Sequence, residues 1–291
     1  MIPSDWLETF AVFAEEESLS RAARRLHLSQ PAVHAQVQRL QELVGVALYR
    51  RVGRGLTLTR EGIELAAFAR SSGEAHADLI ARVRGDATGV ERRLVLAVGA
   101  GALLDVIPTG LRAFVRGWKG RLEVVTCDAK RAAELVLRGE AHVGVAGVDP
   151  HATHDDALVL HRLVEVEQAV VLPKDHALAT RRSLTLTDLA GERFVLPPIG
   201  RPQRAAIDAA FAKRGITVDV GATATGWDVT MRLVDLGLGL AIVNATTTTP
   251  RGLVRIALRE LPRVRYVVFT RRAPREDAKN FVAALREGAL G

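Results

Sequence analysis

Residues 18–44 read SLSRAARRLHLSQPAVHAQVQRLQELV, and this stretch decides the fold. It predicts two short helices joined by a tight turn. Ser20 is placed to cap the first, whose small apolar side is Ala22, Ala23 and Leu26, and the pattern breaks at His27-Leu28. Ser29 caps the second, because its hydroxyl can accept from the free amides of the first turn. Pro31 suits that turn for the same reason, since its missing N–H would have had no partner inside the helix. Val33, Val37, Leu40 and Val44 then recur at i, i+4, i+7 and i+11 as one apolar stripe. The opposite side carries Pro31, Ala35, Gln38, Arg39 and Glu42, with Gln30 and His34 at its edge. Such a pair is either an ordinary helical hairpin with a solvated polar face or a helix-turn-helix. In the second case the later helix enters the DNA major groove, where Gln and Arg read base edges. Periodicity alone leaves both open.

The flanks narrow the choice. Residues 4–17 predict a helix with Ser4 as its cap and Trp6, Phe10 and Phe13 on one side, a hydrophobic backing for the second helix. Beyond Val44 comes GVALYRRVGRGLTLT, where Gly53 and Gly55 mark a turn between two short extended runs. Arg50, Arg51 and Arg54 concentrate positive charge on that hairpin, suited to phosphate. From Thr59 to about Val83 the pattern is helical again. Leu65, Phe68, Ser72, Ala75 and Leu79 alternate spacings of three and four, a seam of coiled-coil type. A helix of about 25 residues spans roughly 37 Å, long enough to pair with a second copy and hold two reading heads apart. Ser72 and Gly73 weaken the middle of the seam, so further dimer contacts are expected elsewhere.

Three pieces in order, FAVFAEEESLSRAARRLHLSQPAV, LQELVGVALYRR and GLTLTREG, resemble the winged helix-turn-helix of the LysR-type transcriptional regulators. The resemblance implies that Gln30, Pro31 and His34 approach bases, and that Ser20, Arg21, Ser29 and Arg51 approach the DNA backbone. Gln38 and Arg39 on the exposed face and Arg54 on the wing complete the expected DNA-binding set. It also implies a homodimer or homotetramer built through the linker helices, double-stranded promoter DNA and a small-molecule effector as partners, and RNA polymerase as a candidate further one. No catalytic residue and no resident cofactor are expected. Two positions depart from the family: His34 stands where Ser is common, and Ala35 where Arg is frequent. Losing a long cation there removes a candidate guanine contact, so the preferred operator is expected to differ.

Composition agrees. The chain of 291 residues is long enough for about two domains with cores of their own, and its 48% apolar content suits a globular protein. A formal charge of +7 suits a polyanionic partner, nucleic acid or membrane surface alike. The single cysteine excludes an intrachain disulfide and a thiolate-built zinc site. The opening MIPSDWLETF lacks a basic-then-apolar leader and no apolar run reaches about 18 residues, so a cytoplasmic location without a membrane partner is expected.

GDATGVERR, residues 85–93, reads as a hinge. Beyond it, LVLAVG, LEVVT and HVGVAGV read as strands separated by helices LLDVIPTGLRAFVRGW and KRAAELVLRG, and LVEVEQAVVLP leads into a second set: FVLPP, RAAIDAAFAKRG, VDVGATA, DVTMRLVDLG and LAIVN. This alternation indicates βαβ units on parallel sheets. RVRYVVFTRR adds a strand and REDAKNFVAALREG a closing helix. The expected class is α/β: a winged helix-turn-helix over 1–58, a linker helix over 59–84, a hinge over 85–92 and an effector domain over 93–291. By the resemblance, that domain has two Rossmann-like lobes of periplasmic-binding-protein type. Lobe I takes about 93–162 and 269–291, and lobe II about 163–268.

Ligands of open α/β sheets gather where strands end and helices begin. Four such turns are candidates: Gly99-Ala100-Gly101-Ala102, Thr126-Cys127-Asp128, Pro197 through Ile199, Gly200 and Arg201, and Thr225-Gly226-Trp227-Asp228. Backbone amides and Arg201 favour a carboxylate, and Trp227 offers a flat surface, so a carboxylated or aromatic metabolite is expected. The first turn lacks the Ser or Thr that the family often places there, which weakens the carboxylate case. Rival readings of the same residues are poorer. The GxG of VGAGALLD begins a dinucleotide fingerprint, but Leu104 stands where the third glycine belongs. Cys127 has no second cysteine to resolve an oxidised sulfur within the chain. His151, His154, Asp155 and Asp156 lie in a polar loop without the spacing of a metal site. TTTT at 246–249 reads as a connection without chemistry. An enzyme built on these lobes is the rival class, but the sequence offers it no nucleophile elbow, HExxH, P-loop or complete dinucleotide motif, and a purely architectural DNA binder would not need the lobes.

Overall fold

The computed structural model describes residues 2–53, 55–83, 92–148 and 154–289. Helix α1 (Ser4–Glu16) starts directly after Pro3 without a side-chain cap, so Ser4 is its first residue rather than the expected cap. Helix α2 (Leu19–Leu26) is capped by Ser18, whose Oγ accepts from the Arg21 N–H at 3.4 Å. The expected Ser20 cap is thus corrected: Ser18 holds the extended backbone that a cap needs, and Ser20 already lies in the first turn. His27 closes the helix in the left-handed conformation. Helix α3 (Gln30–Val44) is capped as expected, with Ser29 Oγ accepting from Ala32 N–H at 3.3 Å and Pro31 in the first turn.

Strands β1 (Tyr49–Val52) and β2 (Gly55–Leu58) form an antiparallel hairpin. Phe10, Phe13, Val33, Val37, Leu40 and Leu48 share one core beneath the helices, with Trp6 and Val44 packed at its edge. Helix α4 (Arg60–Val83) leaves this core at Ala66. Of the expected seam, Phe68 is 54% and Leu79 50% exposed, so this apolar edge is uncovered within one chain. The expected hinge at 85–92 lies almost wholly outside the described residues.

The regulatory half begins with β3 (Arg93–Val98), α5 (Ala100–Asp105), α6 (Pro108–Gly117), β4 (Arg121–Thr126), α7 (Ala129–Leu137), β5 (Val143–Val148) and β6 (Leu158–Val166). A second lobe follows with β7 (Gln168–Pro173), β8 (Ser183–Leu184), β9 (Arg193–Leu196), α8 (Pro202–Lys213), β10 (Asp219–Thr223), α9 (Trp227–Asp235), β11 (Leu240–Asn244) and β12 (Leu253–Leu258). The chain then returns through β13 (Val264–Arg271) and α10 (Glu276–Ala289). Lobe I is the sheet β4-β3-β5-β13-β6 and lobe II the sheet β10-β9-β11-β7-β12-β8.

Both sheets are mixed, which corrects the expectation of parallel ones. In lobe I, β13 runs antiparallel to β5 and β6; in lobe II, β7 runs antiparallel to β11 and β12. The antiparallel members are the strands that cross between lobes or arrive from a crossing, where no helical crossover fixes direction. The crossings themselves sit at Glu167 and over 259–263, several residues from the expected boundaries at 162 and 269, because β6 and β13 pair along their whole lengths. The helix expected over 103–118 is two helices, since Pro108 cannot donate to a preceding turn and opens α6 instead. Strand β12 is an addition that the sequence pattern does not announce. On β3, Leu94, Leu96 and Val98 enter one core of lobe I and Val95 and Ala97 the other, the alternation of a strand covered on both faces.

Candidate DNA-reading helix and interlobe cleft

The turn between α2 and α3 brings the expected reading residues to one surface. Gln30, Pro31, His34 and Arg39 are exposed, as are Ser20, Arg21, Ser29 and, on the wing, Arg50 and Arg51. Ser20 Oγ donates to Gln30 Oε1 at 2.8 Å, so the serine expected to meet the DNA backbone also orients the amide expected to meet a base. Arg21 is engaged with Glu16 at 3.0 Å, although its side chain is 56% exposed. Gln38, expected among the DNA-binding residues, is half-buried on α3 and is bonded within the head. Its amide donates to Tyr49 Oη at 3.0 Å and accepts from Gln41 Nε2 at 3.2 Å, while Gln41 Oε1 accepts from the Leu48 N–H at 2.8 Å. This chain of amides ties α3 to the wing, a bracing role sequence reading missed. Arg54 lies outside the described residues.

The four candidate turns of the second half meet pairwise across the lobes. Asp128 caps α7 through the Arg131 N–H at 2.9 Å and pairs with Arg201 of lobe II at 2.9 Å. Those partners, the Arg131 N–H first, hold its carboxyl below the ordinary Asp range. The pair also occupies the guanidinium that a carboxylate ligand would need. Gly101 on α5 faces Trp227 on α9 so closely that a Cβ there would stand 2.5 Å from the indole Nε1. Ala100 and Ala102 flank it at the start of α5, Thr225 precedes Trp227, and Ile199 and Gly200 precede Arg201, with Ile199 85% exposed. Cys127 is half-buried and its N–H donates to Val98 O at 3.0 Å; burial pushes its thiol up, away from the thiolate that oxidation requires.

Two family models match, "Bacterial regulatory helix-turn-helix protein, lysR family" over residues 4–63 and "LysR substrate binding domain" over residues 87–290. The chain belongs to the LysR family of transcriptional regulators. The RuBisCO operon transcriptional regulator of Allochromatium vinosum is 31% identical over 250 residues, covering 83% of this chain and 79% of that one. The Hca operon transcriptional activator HcaR of Escherichia coli is 29% identical over 240 residues, covering 81% and 80%. Among solved structures, a full-length variant of OxyR from Pseudomonas aeruginosa superposes with TM-score 0.70 at 16% identity, covering 99% of this chain and 95% of that one. Full-length CbnR complexed with its target DNA superposes with TM-score 0.58 at 22% identity, covering 99% of each chain. This LysR regulator is accordingly a DNA-binding transcription factor with a C-terminal effector-binding domain rather than an enzyme. Among the described residues, no helix is long and apolar enough to cross a membrane.

Two further polar groups of the LysR regulator carry no motif and surface only in three dimensions. Between the lobes, Asp105 Oδ1 accepts from the Thr248 N–H at 3.4 Å, and Asn244 Nδ2 donates to the buried Tyr266 hydroxyl. Thr248 belongs to the threonine run that reads as mere connection. Beside the linker, buried His142 of lobe I and Arg275 both meet Glu74 of α4. Arg138 adds a pair to Glu17 at 3.1 Å, and Arg70 on α4 donates to the Arg138 carbonyl. In the loop read as a weak metal candidate, Asp155 instead accepts from the Ala157 N–H at 2.8 Å and lies 3.8 Å from Arg60, while His151 lies outside the described residues.

Proposed function

We propose that this regulator reads promoter DNA with the N-terminal end of α3, that two copies pair along α4, and that a small molecule bound between the lobes changes how the reading heads sit on DNA. The observation that carries the effector part is the double closure at the strand ends, Arg201 on Asp128 and Trp227 on Gly101, each joining lobe I to lobe II. A ligand entering there competes with or completes those contacts. It therefore has different affinities for open and closed lobes, which is the requirement for shifting a population. The effector contacts would come from Ala100, Gly101, Ala102, Cys127, Asp128, Ile199, Gly200, Arg201, Thr225 and Trp227. On DNA, Gln30, Pro31 and His34 would approach bases. Ser20, Arg21, Ser29, Arg39 and Arg51 would hold phosphates, and Arg54 is carried over from the sequence expectation. The uncovered Phe68 and Leu79 support pairing through α4.

Capture of genomic fragments by the purified full chain, with mapping of the bound site, tests the DNA part. Enrichment of defined segments that collapses with Gln30→Ala supports it, and equal retention of scrambled duplex overturns it. A metabolite library screened by thermal shift tests the effector part. Saturable stabilisation of the wild type that is absent in Gly101→Val supports the cleft, and equal stabilisation of both proteins overturns it.

A further inference from the structure

We infer that lobe I is latched onto the reading head of its own chain, so that head, linker helix and lobe I move as one body and lobe II is the part that swings. The latch draws on separate places in lobe I. Arg138, at the end of α7, pairs with Glu17 at the α1–α2 corner at 3.1 Å. Its carbonyl accepts from Arg70 of α4, which also holds Glu15 of α1 at 3.1 Å. Gly139 then rests on the helix: a Cβ there would stand 3.1 Å from the Ala67 Cα, which leaves almost no room for a side chain. His142 and Arg275 reach Glu74 at 3.2 Å and 2.8 Å, and Asp155 lies 3.8 Å from Arg60.

Arg60, Ala67 and Glu74 recur at heptad spacing, so these contacts follow one stripe of α4 for roughly 21 Å. Phe68 and Ala75 each come one residue later, about 100° round the helix, which keeps the edge proposed for pairing clear of the latch. Glu17 sits off that stripe, on α1. A row of contacts with one more beside it fixes rotation as well as distance. The side chains of Arg70, His142 and Arg275 are only 12%, 5% and 17% exposed, so solvent screens them little. Lobe II has no such hold. Among the described residues, no hydrogen bond or ion pair joins residues 168–258 to the head or to α4. Its tie to lobe I through Arg201 and Asp128 is 44% and 46% exposed, where an ion pair contributes little. The buried Asn244–Tyr266 contact lies beside the two crossings, where rotation of lobe II moves atoms least. Gln30, His34 and Arg51 are exposed and take no part in the latch, which orients the head without covering it. On the effector reading proposed above, a change in the cleft displaces lobe II against a frame that already carries the reading surface. In an assembly it then reaches the heads through what lobe II touches on another copy.

Pulsed electron paramagnetic resonance on the full chain, in a Cys127→Ser background and diluted with unlabelled chain to remove distances between copies, tests the latch. Spin labels go on the exposed positions Glu8→Cys of α1, Arg116→Cys of lobe I and Lys213→Cys of lobe II, two at a time. The Glu8–Arg116 pair is expected to give one narrow distance, unchanged when Arg201→Ala cuts the tie between lobes. The Glu8–Lys213 pair should be broader, and Arg201→Ala should add a second distance. Arg138→Ala and Glu74→Ala, each loosening the latch at a different place, should broaden the Glu8–Arg116 distance, and circular dichroism confirms that both are folded. A broad Glu8–Arg116 distance in the wild type overturns the inference, as does one that neither latch variant alters. A Glu8–Lys213 distance as narrow as that of Glu8–Arg116, with and without Arg201→Ala, overturns the assignment of lobe II as the moving part. No ligand is added, so failure here leaves the effector reading to the thermal-shift screen.

Discussion

His142 Nε2 of lobe I stands 3.2 Å from both carboxylate oxygens of Glu74 on the linker helix. The other ring nitrogen accepts the Val95 N–H of β3 at 2.8 Å, which leaves the proton on Nε2 and makes it the donor. Arg275 adds a second donor to Glu74 at 2.8 Å. The same strand that holds the imidazole ends at Val98, next to Gly99 and the cleft, so one rigid element touches both the linker contact and the ligand turns.

Burial alone would raise the Glu74 carboxyl, but the bonds from His142 and Arg275 outweigh it and hold the group below the ordinary Glu range. A depressed folded pKa stabilises at pH above the unfolded value, about 4.3, and that stabilisation is lost as pH falls through the lower folded value. Hydrogen exchange of α4 is expected to accelerate over that acid window in the wild type. Glu74→Ala should show fast exchange already at neutral pH, with a cost of about 1–3 kcal/mol for donors left unpaired. Unchanged α4 exchange in the variant would refute this docking.

Gln30→Ala should lower base preference by about 1–3 kcal/mol at one position. Arg51→Ala should weaken binding to all sequences and reduce the salt slope by about 1. Ser20→Ala, which frees the Gln30 amide from its 2.8 Å partner, is expected to blur the same base position as Gln30→Ala with a smaller effect. Binding measured on specific and random duplex across a salt series separates the three.

Tyr266, buried in the junction between lobes, is pushed up to about 12 by desolvation, partly opposed by the Asn244 amide. A group kept neutral in this way stabilises the fold below its unfolded pKa of about 10. That contribution is lost as pH rises toward about 12. Ultraviolet titration should find this tyrosine ionising only with unfolding. Tyr266→Phe strands the Asn244 N–H and should cost about 1–3 kcal/mol in denaturant unfolding.

Gly62 lets α4 cross the wing: a Cβ there would fall 1.8 Å from the Leu48 carbonyl oxygen, a backbone atom that cannot swing aside. Ala is better than Gly in a helix interior by about 0.8–1 kcal/mol. The overlap should outweigh it, giving net destabilisation of about 1–3 kcal/mol for Gly62→Ala. A gain in melting temperature would show that the helix shifts freely.

Local signals carried the N-terminal head almost whole. Ser29, Pro31 and the stripe Val33, Val37 and Leu40 state a helix, its start and its buried side within one segment, and the structure keeps all of them. The α/β alternation was equally legible. Strand direction was not: β7 and β13 are antiparallel because of which partners they find after crossing between lobes, and no run of apolar residues records a partner.

What the sequence by itself determined is the set of elements and the surface α3 presents, because caps, turns and periodicity act over a few residues. Tertiary structure alone decided which polar groups face one another. Gln38 braces the wing through Tyr49, Arg201 is neutralised by Asp128, Asp105 meets the threonine run, and Glu74 receives His142 and Arg275. Each pair is set by packing of remote segments, so the charge and hydrogen-bonding capacity left for a ligand emerge only once both lobes are folded.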